Sequence, residues 1–237
     1  MDTRDRSASH GRQVLIVLIN ADRSKRACVR ASTLEWVPSP SAGIERIMLE
    51  RIGDEVALAT SIVRYRRGSA FPRHVHERGE EFVVLEGIFS DEYGDYAAGS
   101  YVRNPPRSHH APFSKTGCVI FVKLRHMDPA DDQRVVIRPK DLSWRQIDTK
   151  VDEAVLHCYG GITISILRLA PDAELPERQT PGGEELFVIS GSVDVPALNE
   201  VNLNSWSWLR SAEEEQPKLT TAMGAVLWSS RGHLQMT

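Results

Sequence analysis

Two histidines and a carboxylate lie close together in the sequence, in a pattern that favours a metal site. His74 and His76 are two residues apart, and Glu80 follows four residues after the second. Side chains at positions i and i+2 of a β-strand project from the same face, so both imidazoles can point towards one ion. The pair Arg78-Gly79 predicts a turn, after which antiparallel pairing can return Glu80 to the histidines. Two imidazoles and one carboxylate suit iron, manganese or zinc.

Two adjacent pairs leave the choice of ligand open at this point. Glu80 is followed by Glu81, and His109 is followed by His110 in a second histidine cluster further along the chain. Adjacent residues of a strand face opposite sides of the sheet. We therefore expect at most one member of each pair to point towards the site.

The elements that must position these residues are short β segments. Apolar runs rich in β-branched residues are separated by Gly, Pro, Asp and Asn, and no long stretch has sustained helical periodicity. The clearest runs are residues 56–65, 81–85, 100–103 and 118–124, and a further strand could lie within residues 14–19. Many short strands with regular turns indicate an all-β sandwich or barrel.

The sequence contains an internal repeat, which predicts two copies of one β unit. Five short segments of the first half recur in the same order in the second half. They are 34–36, 61–65, 79–87, 101–103 and 117–121, which correspond to 142–144, 165–169, 183–191, 208–210 and 224–228. The predicted organisation has four parts. They are an N-terminal extension with a possible strand (1–33, its first 13 residues polar and expected to be disordered), a first unit (34–127), a charged linker (128–140) and a second unit (141–237).

Composition excludes several classes of function. The chain has 237 residues and 41% hydrophobic residues, which is enough for a packed core. A net charge of −3 gives no reason to expect nucleic-acid binding. The three cysteines form no Cys-x-x-Cys pair and fit a reducing cytoplasm. No apolar run approaches the roughly 20 residues of a membrane-spanning helix, so we expect a cytoplasmic protein without membrane contact.

Both clusters resemble the paired motifs of the cupin superfamily. Residues 68–87 match G-x5-H-x-H-x3-E-x6-G throughout. Gly99, Pro105 and His110 match G-x5-P-x-G-x2-H, but Arg107 stands where that motif has glycine. The resemblance implies an all-β protein of two tandem jelly-roll barrels (RmlC-like). It also implies a metal site in the first barrel, formed by His74, His76, Glu80 and His110. The motif spacing thus selects Glu80 and His110, and places Glu81 and His109 on the outer face or at the barrel mouth.

Longer segments resemble particular groups within the cupin superfamily. Residues 80–94, 99–106 and 117–124 are similar to the cupin domain of ChrR-type anti-sigma factors, and the acetylacetone-cleaving and dihydroxyacetophenone dioxygenases look related. ChrR proteins also carry an N-terminal helical, zinc-containing domain that binds the sigma factor. Residues 1–33 could not form such a domain, so we do not expect sigma-factor binding.

The second unit lacks the histidines of the first motif. Arg178 and Thr180 stand at the two histidine positions, Glu184 is retained, and spacing places Pro217 opposite His110. One carboxylate cannot hold a transition metal against water. We therefore predict a degenerate second barrel without metal, with a structural role of covering the first barrel's exposed sheet.

Two functions agree with these features. The first is a metal-binding bicupin of ChrR-like type, a sensor or small-molecule-binding protein with one divalent transition metal, zinc or iron, with manganese or nickel as alternatives. The second is a metal-dependent dioxygenase that cleaves a small diketone-like or chelating substrate. No catalytic base can be named, so the catalytic residues stay unknown. A small-molecule ligand and a homodimer are both compatible with the sequence.

Overall fold

The computed structural model describes residues 17–54 and 56–234, and almost every regular element in them is a β-strand. The few helical residues form short 3-10 turns, at Ala31–Thr33, Pro139–Asp141 and Pro196–Leu198. No helix in these described ranges is long and apolar enough to cross a bilayer.

The strands fall into two series that repeat the same pattern. The first series comprises β1 (Leu18–Ile19), β2 (Ala27–Arg30), β3 (Val37–Pro38), β4 (Ile44–Ile52), β5 (Leu58–Tyr65), β6 (Ser69–Ala70), β7 (His74–Val75), β8 (Glu80–Asp91), β9 (Gly94–Ala97), β10 (Tyr101–Asn104), β11 (His109–His110), β12 (Phe113–Ser114) and β13 (Cys118–Leu124). The second series comprises β14 (Val135–Ile137), β15 (Arg145–Asp148), β16 (Val151–Tyr159), β17 (Ile162–Leu169), β18 (Ala173–Leu175), β19 (Arg178–Gln179), β20 (Glu184–Val195), β21 (Glu200–Asn204), β22 (Ser207–Ser211), β23 (Glu215–Gln216), β24 (Leu219–Thr221) and β25 (Ala225–Arg231).

Apart from β2 and β14, each series forms one jelly-roll barrel, which confirms the predicted all-β fold with two tandem barrels. The main sheet of the first barrel has the order β1-β4-β5-β13-β8-β10-β14, and that of the second has the order β15-β16-β17-β25-β20-β22-β2. The first halves of the long strands β8 and β20 lie within these main sheets. The second half of β8 pairs with β9 and β12, and the second half of β20 pairs with β21 and β24. They therefore join the two layers of each barrel.

The two barrels exchange one strand in each direction. Strand β2, from the predicted N-terminal extension, pairs with β22 of the second barrel, with Val29 opposite Trp208. Strand β14, from the predicted linker, pairs with β10 of the first barrel, with Ile137 opposite Tyr101. Each exchanged strand covers a sheet edge that would otherwise be open to further pairing.

A shared apolar core lies between the main sheets of the barrels. It combines Ile62, Val83 and Phe121 of the first barrel with buried residues of the second, including Phe187 and Trp228. The rings of Phe121 and Phe187 stack with their centroids 4.1 Å apart. Since a separate apolar cluster also lies inside each barrel, β13 is buried on both faces.

The strands that the sequence predicts agree with the observed strands except at the strand ends. The run 118–124 is a strand as predicted, the run 56–65 starts as a strand at Leu58, and the run 81–85 is part of the longer β8. Residues 18 and 19 form the short strand β1, which pairs with the end of β4. Residue 17 is not part of a strand, and residues 14–16 of the predicted strand lie outside the described residues, as do the polar residues 1–13.

Candidate metal centre

The four predicted ligands lie together at one end of the first barrel. Strands β7 and β11 pair so that His74 is directly opposite His110. Glu80 opens β8, after the turn that follows His76. One donor atom from each of the four residues lies within 4.8 Å of the others. A cluster of three imidazoles and a carboxylate therefore forms from strand parity, one turn and the pairing of β7 with β11.

The turns around the cluster need left-handed backbone. Gly79 has φ +75°, and a Cβ atom at this position would overlap the side chain of Met127. Arg107, which replaces the motif glycine, also adopts a left-handed conformation with φ 70°, and its amide donates to the carbonyl of His76 over 2.7 Å. The motif turn is thus retained with arginine, at a cost of roughly 1–2 kcal/mol relative to glycine.

The donor atoms approach one another within a few ångströms. Nε2 of His74 lies 3.1 Å from Nε2 of His76. Oε2 of Glu80 lies 3.4 Å from Nε2 of His76 and 3.3 Å from Nε2 of His110. All three imidazoles therefore direct the same nitrogen, Nε2, into the cluster, and those of His76 and His110 lie nearest to the Glu80 carboxylate.

The outer nitrogen of each imidazole has an acceptor of its own, which sets the ring orientation. The Nδ1 contacts are Pro72 O at 2.9 Å for His74, Ser108 Oγ at 3.1 Å for His76 and Asp91 Oδ2 at 3.3 Å for His110. Glu80 is held by the side-chain amide of Asn104, which donates to Oε2 over 3.1 Å. Outer partners of this kind favour the Nδ1–H tautomer and leave Nε2 free to coordinate.

The electrostatics of the cluster favour ligating protonation states for His76 and Glu80. Burial lowers the pKa of His76 to about 4, against the attraction of Glu80. Burial also opposes ionisation of Glu80, but the surrounding imidazoles outweigh it and the pKa of Glu80 lies below its usual value. For His110, burial lowers the pKa, but the hydrogen bond to Asp91 and the attraction of Glu80 and Asp91 together outweigh it, so the pKa of this histidine is raised. The carboxylate is thus charged and His76 neutral at physiological pH.

Glu81 and His109 point away from the cluster. Glu81 accepts hydrogen bonds from Tyr101 Oη at 2.7 Å and from Arg103 Nη1 at 3.1 Å. Glu81 lies on the outer face of the first barrel's sheet, and it is buried because the second barrel covers this side of the sheet. His109 is half-buried, and its carbonyl accepts a hydrogen bond from Tyr93 Oη at 3.4 Å.

A cavity of about 410 Å³ leads from the cluster into the first barrel. Its walls are mostly apolar, and His74, His76 and Glu80 are among the residues that line it. Three arginines also line it, Arg46, Arg51 and Arg125. A cavity of this volume is large enough for a small organic molecule.

The corresponding place in the second barrel is filled by an ion pair. Arg178 donates through Nη2 to Oε2 of Glu184, and Ser229 Oγ donates to Oε1 of the same carboxylate over 3.0 Å. Strand register places Gln216 opposite Arg178, as His110 lies opposite His74. The residue equivalent to His110 is therefore Gln216, not Pro217, because spacing alone misjudged the loop by one residue.

Sequence reasoning missed the residues that support the cluster and line the cavity. Asp91, Asn104 and Ser108 contact ligands but belong to no motif. Of these three residues, only Asn104 could have been found from the sequence, because it directly precedes Pro105 of the second motif. Arg46 and Arg51 had none, since their facing depends on strand register.

The fold and the cluster define a bicupin with a candidate metal site in its first barrel. The sequence model of the ChrR cupin-like domain matches this chain twice, at residues 24–128 and 132–235. The chain therefore belongs to the ChrR cupin-like family, in tandem form. Each matched segment includes one of the exchanged strands, β2 in the first segment and β14 in the second. None of the curated proteins matches the sequence significantly.

Solved structures support the same fold at low sequence identity. A provisionally assigned dioxygenase from Nostoc punctiforme has a TM-score of 0.71 and 15% identity, over 90% of this chain and 85% of its own. Protein Ylba from E. coli has a TM-score of 0.70 and 12% identity, over 95% of this chain and 96% of its own. The bacterial pirin YhhW from Escherichia coli, solved with nickel(II), has a TM-score of 0.62 and 13% identity, over 87% of this chain and 98% of its own.

Proposed function

We propose that this protein is a metal-binding bicupin in which His74, His76, Glu80 and His110 hold one divalent transition metal. The observation that carries the proposal is the Nε2 atom of His110, which is buried, has no hydrogen-bond partner and faces the carboxylate of Glu80. A buried polar atom without a partner is costly, and coordination of a cation would remove that cost.

The donor set fits metals of intermediate hardness. Three imidazoles and a carboxylate suit zinc or iron, with manganese or nickel as alternatives. When bound, such a metal supplies Lewis acidity, and iron supplies redox chemistry in addition. The chain's own residues orient the donors, and the cavity admits a small molecule to the same end of the barrel. We infer a sensor or small-molecule-binding role.

Metal analysis of protein purified without added metal tests this proposal. We expect one transition metal per chain by inductively coupled plasma mass spectrometry, because only one complete donor set is found among residues 17–54 and 56–234. Protein that stays metal-free after incubation with zinc, iron, manganese and nickel salts would refute the metal centre. Two metals per chain would refute a metal-free second barrel.

Metal-dependent oxygenation is a second candidate function. The cavity that reaches the cluster favours it, because a purely structural metal site is usually closed. Similarity to the Nostoc punctiforme protein agrees with this candidate but shows the fold alone. Oxygen consumption by the iron-loaded protein with acetylacetone tests it, and the His110→Ala variant serves as control. Tightly held zinc, with no oxygen uptake after iron loading, would favour the binding role.

A further inference from the structure

The histidine that completes the cluster lies on a very short strand. Strand β11 consists of His109 and His110 alone, and it pairs with β7 in a separate sheet of two strands. A two-stranded ribbon is at best marginally stable by itself in water. The orientation of His110 therefore depends on contacts from other parts of the chain.

The hairpin between β8 and β9 supplies these contacts. Three consecutive residues at its tip reach β11 and the residue that follows it. The contacts are Asp91 Oδ2 to His110 Nδ1 at 3.3 Å, Glu92 Oε2 to the amide of Ala111 at 2.8 Å, and Tyr93 Oη to the carbonyl of His109 at 3.4 Å. One turn thus holds the imidazole ring of His110 and the backbone on both sides of it.

The Asp91 carboxylate is itself held by a chain of donors. Asp91 is 5% exposed, and its Oδ1 accepts from the amide of Tyr93 at 2.8 Å and from Oη of Tyr96 at 3.1 Å. Oη of Tyr96 accepts in turn from Nη2 of Arg134 at 2.9 Å. Hydrogen bonds in such a chain polarise one another, so the loss of one member weakens the next.

The last member of this chain comes from the linker between the barrels. Arg134 directly precedes β14, whose first residue, Val135, lies opposite Arg103 of β10. Its guanidinium carbon also lies 4.8 Å from the ring centre of Tyr93. Arg134 is exposed, whereas Tyr96 is buried. The hydrogen bonds therefore run from the surface of the molecule to Nδ1 of His110.

The second barrel keeps the corresponding strands without the polar side chains. Strands β8 and β20 both have 12 residues, and Val195 ends β20 where Asp91 ends β8. Strand register places Leu203 at the position of Tyr96. Val195 and Leu203 are buried in the apolar core of the second barrel. The fold thus accepts apolar residues at these positions, and the polar pair occurs in the barrel that carries the histidines.

We propose that Asp91, Tyr96 and Arg134 form a positioning network for His110, through which the linker supports the metal centre. The network holds the imidazole with Nε2 towards Glu80 and keeps the proton on Nδ1. This inference rests on the proposed function, because it concerns the same site. It goes further in giving the segment that connects the barrels a part in metal affinity.

Substitutions that each remove one polar group test the network in the full-length protein. Competition with a fluorescent chelator measures zinc affinity. We expect Asp91→Asn to weaken zinc binding by about 10- to 100-fold, as for other partners of metal-bound histidines. Tyr96→Phe removes one hydrogen bond and should weaken it by about two- to tenfold. Arg134→Met should weaken it by about twofold, because salt partly screens an exposed charge.

Asp95→Asn is the matched control for Asp91→Asn. Asp95 lies on β9 of the same hairpin, and its Oδ1 accepts from Oγ of Ser90 at 2.6 Å rather than from β11. We expect unchanged zinc affinity in this variant. An equal loss in the Asp95 and Asp91 variants would overturn the proposal, because the effect would then belong to the hairpin as a whole. Unchanged affinity in Arg134→Met would overturn the part assigned to the linker.

Cobalt(II) in place of zinc gives a readout that a loss of folded protein does not imitate. The positions of its visible absorption bands depend on the strength and orientation of the donors, whereas unfolding lowers only their intensity. We expect Asp91→Asn to shift these bands, since Asp91 orients His110 and raises its basicity. Asp95→Asn should leave them in place. Unshifted bands in Asp91→Asn would show that Asp91 does not position the ligand.

Metal uptake by the unmodified protein separates this inference from the proposed function. If that protein binds zinc and the Asp91, Tyr96 and Arg134 variants bind it equally tightly, the network has no role and the metal centre stands. If the unmodified protein takes up neither zinc nor cobalt(II), the metal centre is refuted and the network with it.

Discussion

At the scale of single residues, orientation rather than proximity separates proposed ligands from their neighbours. Glu80 and Glu81 are adjacent and both buried, yet Glu80 contacts imidazoles and Glu81 contacts Tyr101 and Arg103. His110 is buried in the cluster, whereas His109 faces away from it. Strand parity therefore predicts opposite consequences for neighbouring substitutions.

Paired substitutions of these neighbours should differ in metal content. We expect His110→Ala and Glu80→Gln to lose most of the bound metal, whereas His109→Ala and Glu81→Gln should retain it. Glu81→Gln should instead lower the free energy of unfolding by about 1–3 kcal/mol, because it weakens a buried charged hydrogen-bond network. Elemental analysis and urea denaturation measure both effects. Metal loss in the His109 and Glu81 variants alone would mean that the register is wrong by one.

A histidine far from the cluster should make stability depend on pH. His233 is buried, and its Nε2 lies 2.9 Å from Oε2 of Glu185. Burial lowers the pKa of His233 despite the attraction of Glu185. The folded-state pKa is thus below the unfolded value near ~6.5, so stability is fully present above that pH and declines as pH falls below it.

The expected slope is at most about 1.4 kcal/mol per pH unit for this histidine. Urea denaturation at about pH 7.5 and about pH 5.5, one unit on either side of the reference pKa of ~6.5, measures this slope. The His233→Gln variant should show a shallower decline than the unmodified protein. Parallel curves for the two proteins would exclude His233 as a source of the pH dependence.

At the scale of elements, the exchanged strands complete the barrels that receive them. Strand β2 covers the edge of β22, and the segment before it supplies carbonyls of Asn20 and Asp22 to Arg210, each at 2.9 Å. Arg210 is buried and also paired with Glu50 of the first barrel. The N-terminal segment therefore closes a sheet edge and satisfies a buried cation.

Removal of residues 1–30 should destabilise the second barrel more than the metal centre. We expect the midpoint of thermal unfolding to fall by about 5–10 °C, because a sheet edge and a buried guanidinium lose their partners. Association of the exposed edge should appear in size-exclusion chromatography. The monomeric fraction should still contain metal, since the proposed ligands lie on other strands. An unchanged midpoint would contradict a structural role for the exchanged strand.

At the scale of the whole molecule, a buried ion pair links the two barrels. Nζ of Lys123, on β13, lies 2.6 Å from Oε2 of Glu185 and 3.0 Å from Oγ1 of Thr60. Glu185, on β20, is fully buried and also accepts from Nε1 of Trp208 at 2.7 Å. Although burial opposes its charge, Lys123 and His233 hold the pKa of Glu185 well below its usual value.

Removing one partner of this pair should cost more than removing both. We expect Lys123→Met to lower the free energy of unfolding by about 3–5 kcal/mol, because it leaves the Glu185 carboxylate buried without its cation. The double variant Lys123→Met, Glu185→Gln should recover much of that loss, since no unpaired charge remains. Urea denaturation of the two variants tests this. A loss below about 1 kcal/mol in Lys123→Met would show that the pair is not desolvated.

The sequence by itself was enough to predict the all-β class, the tandem repeat and the grouping of the candidate ligands. These features depend on short-range geometry. Side chains two residues apart share a strand face, one turn brings Glu80 back to His76, and the repeat recurs in the same order. The brief return of the chain within residues 68–87 made the grouping of His74, His76 and Glu80 predictable, whereas His110 was assigned through the resemblance to the second cupin motif.

Only the tertiary structure decided how the barrels are joined and what their faces touch. Strand β2 pairs with a strand almost at the other end of the chain, and no local pattern specifies such a partner. The bulge between Met48 and Glu50 reverses the facing of Arg51, and the covering second barrel buries Glu81. Pairing over long sequence separations determines these features, because register and the burial of a sheet's outer face arise only when distant strands meet.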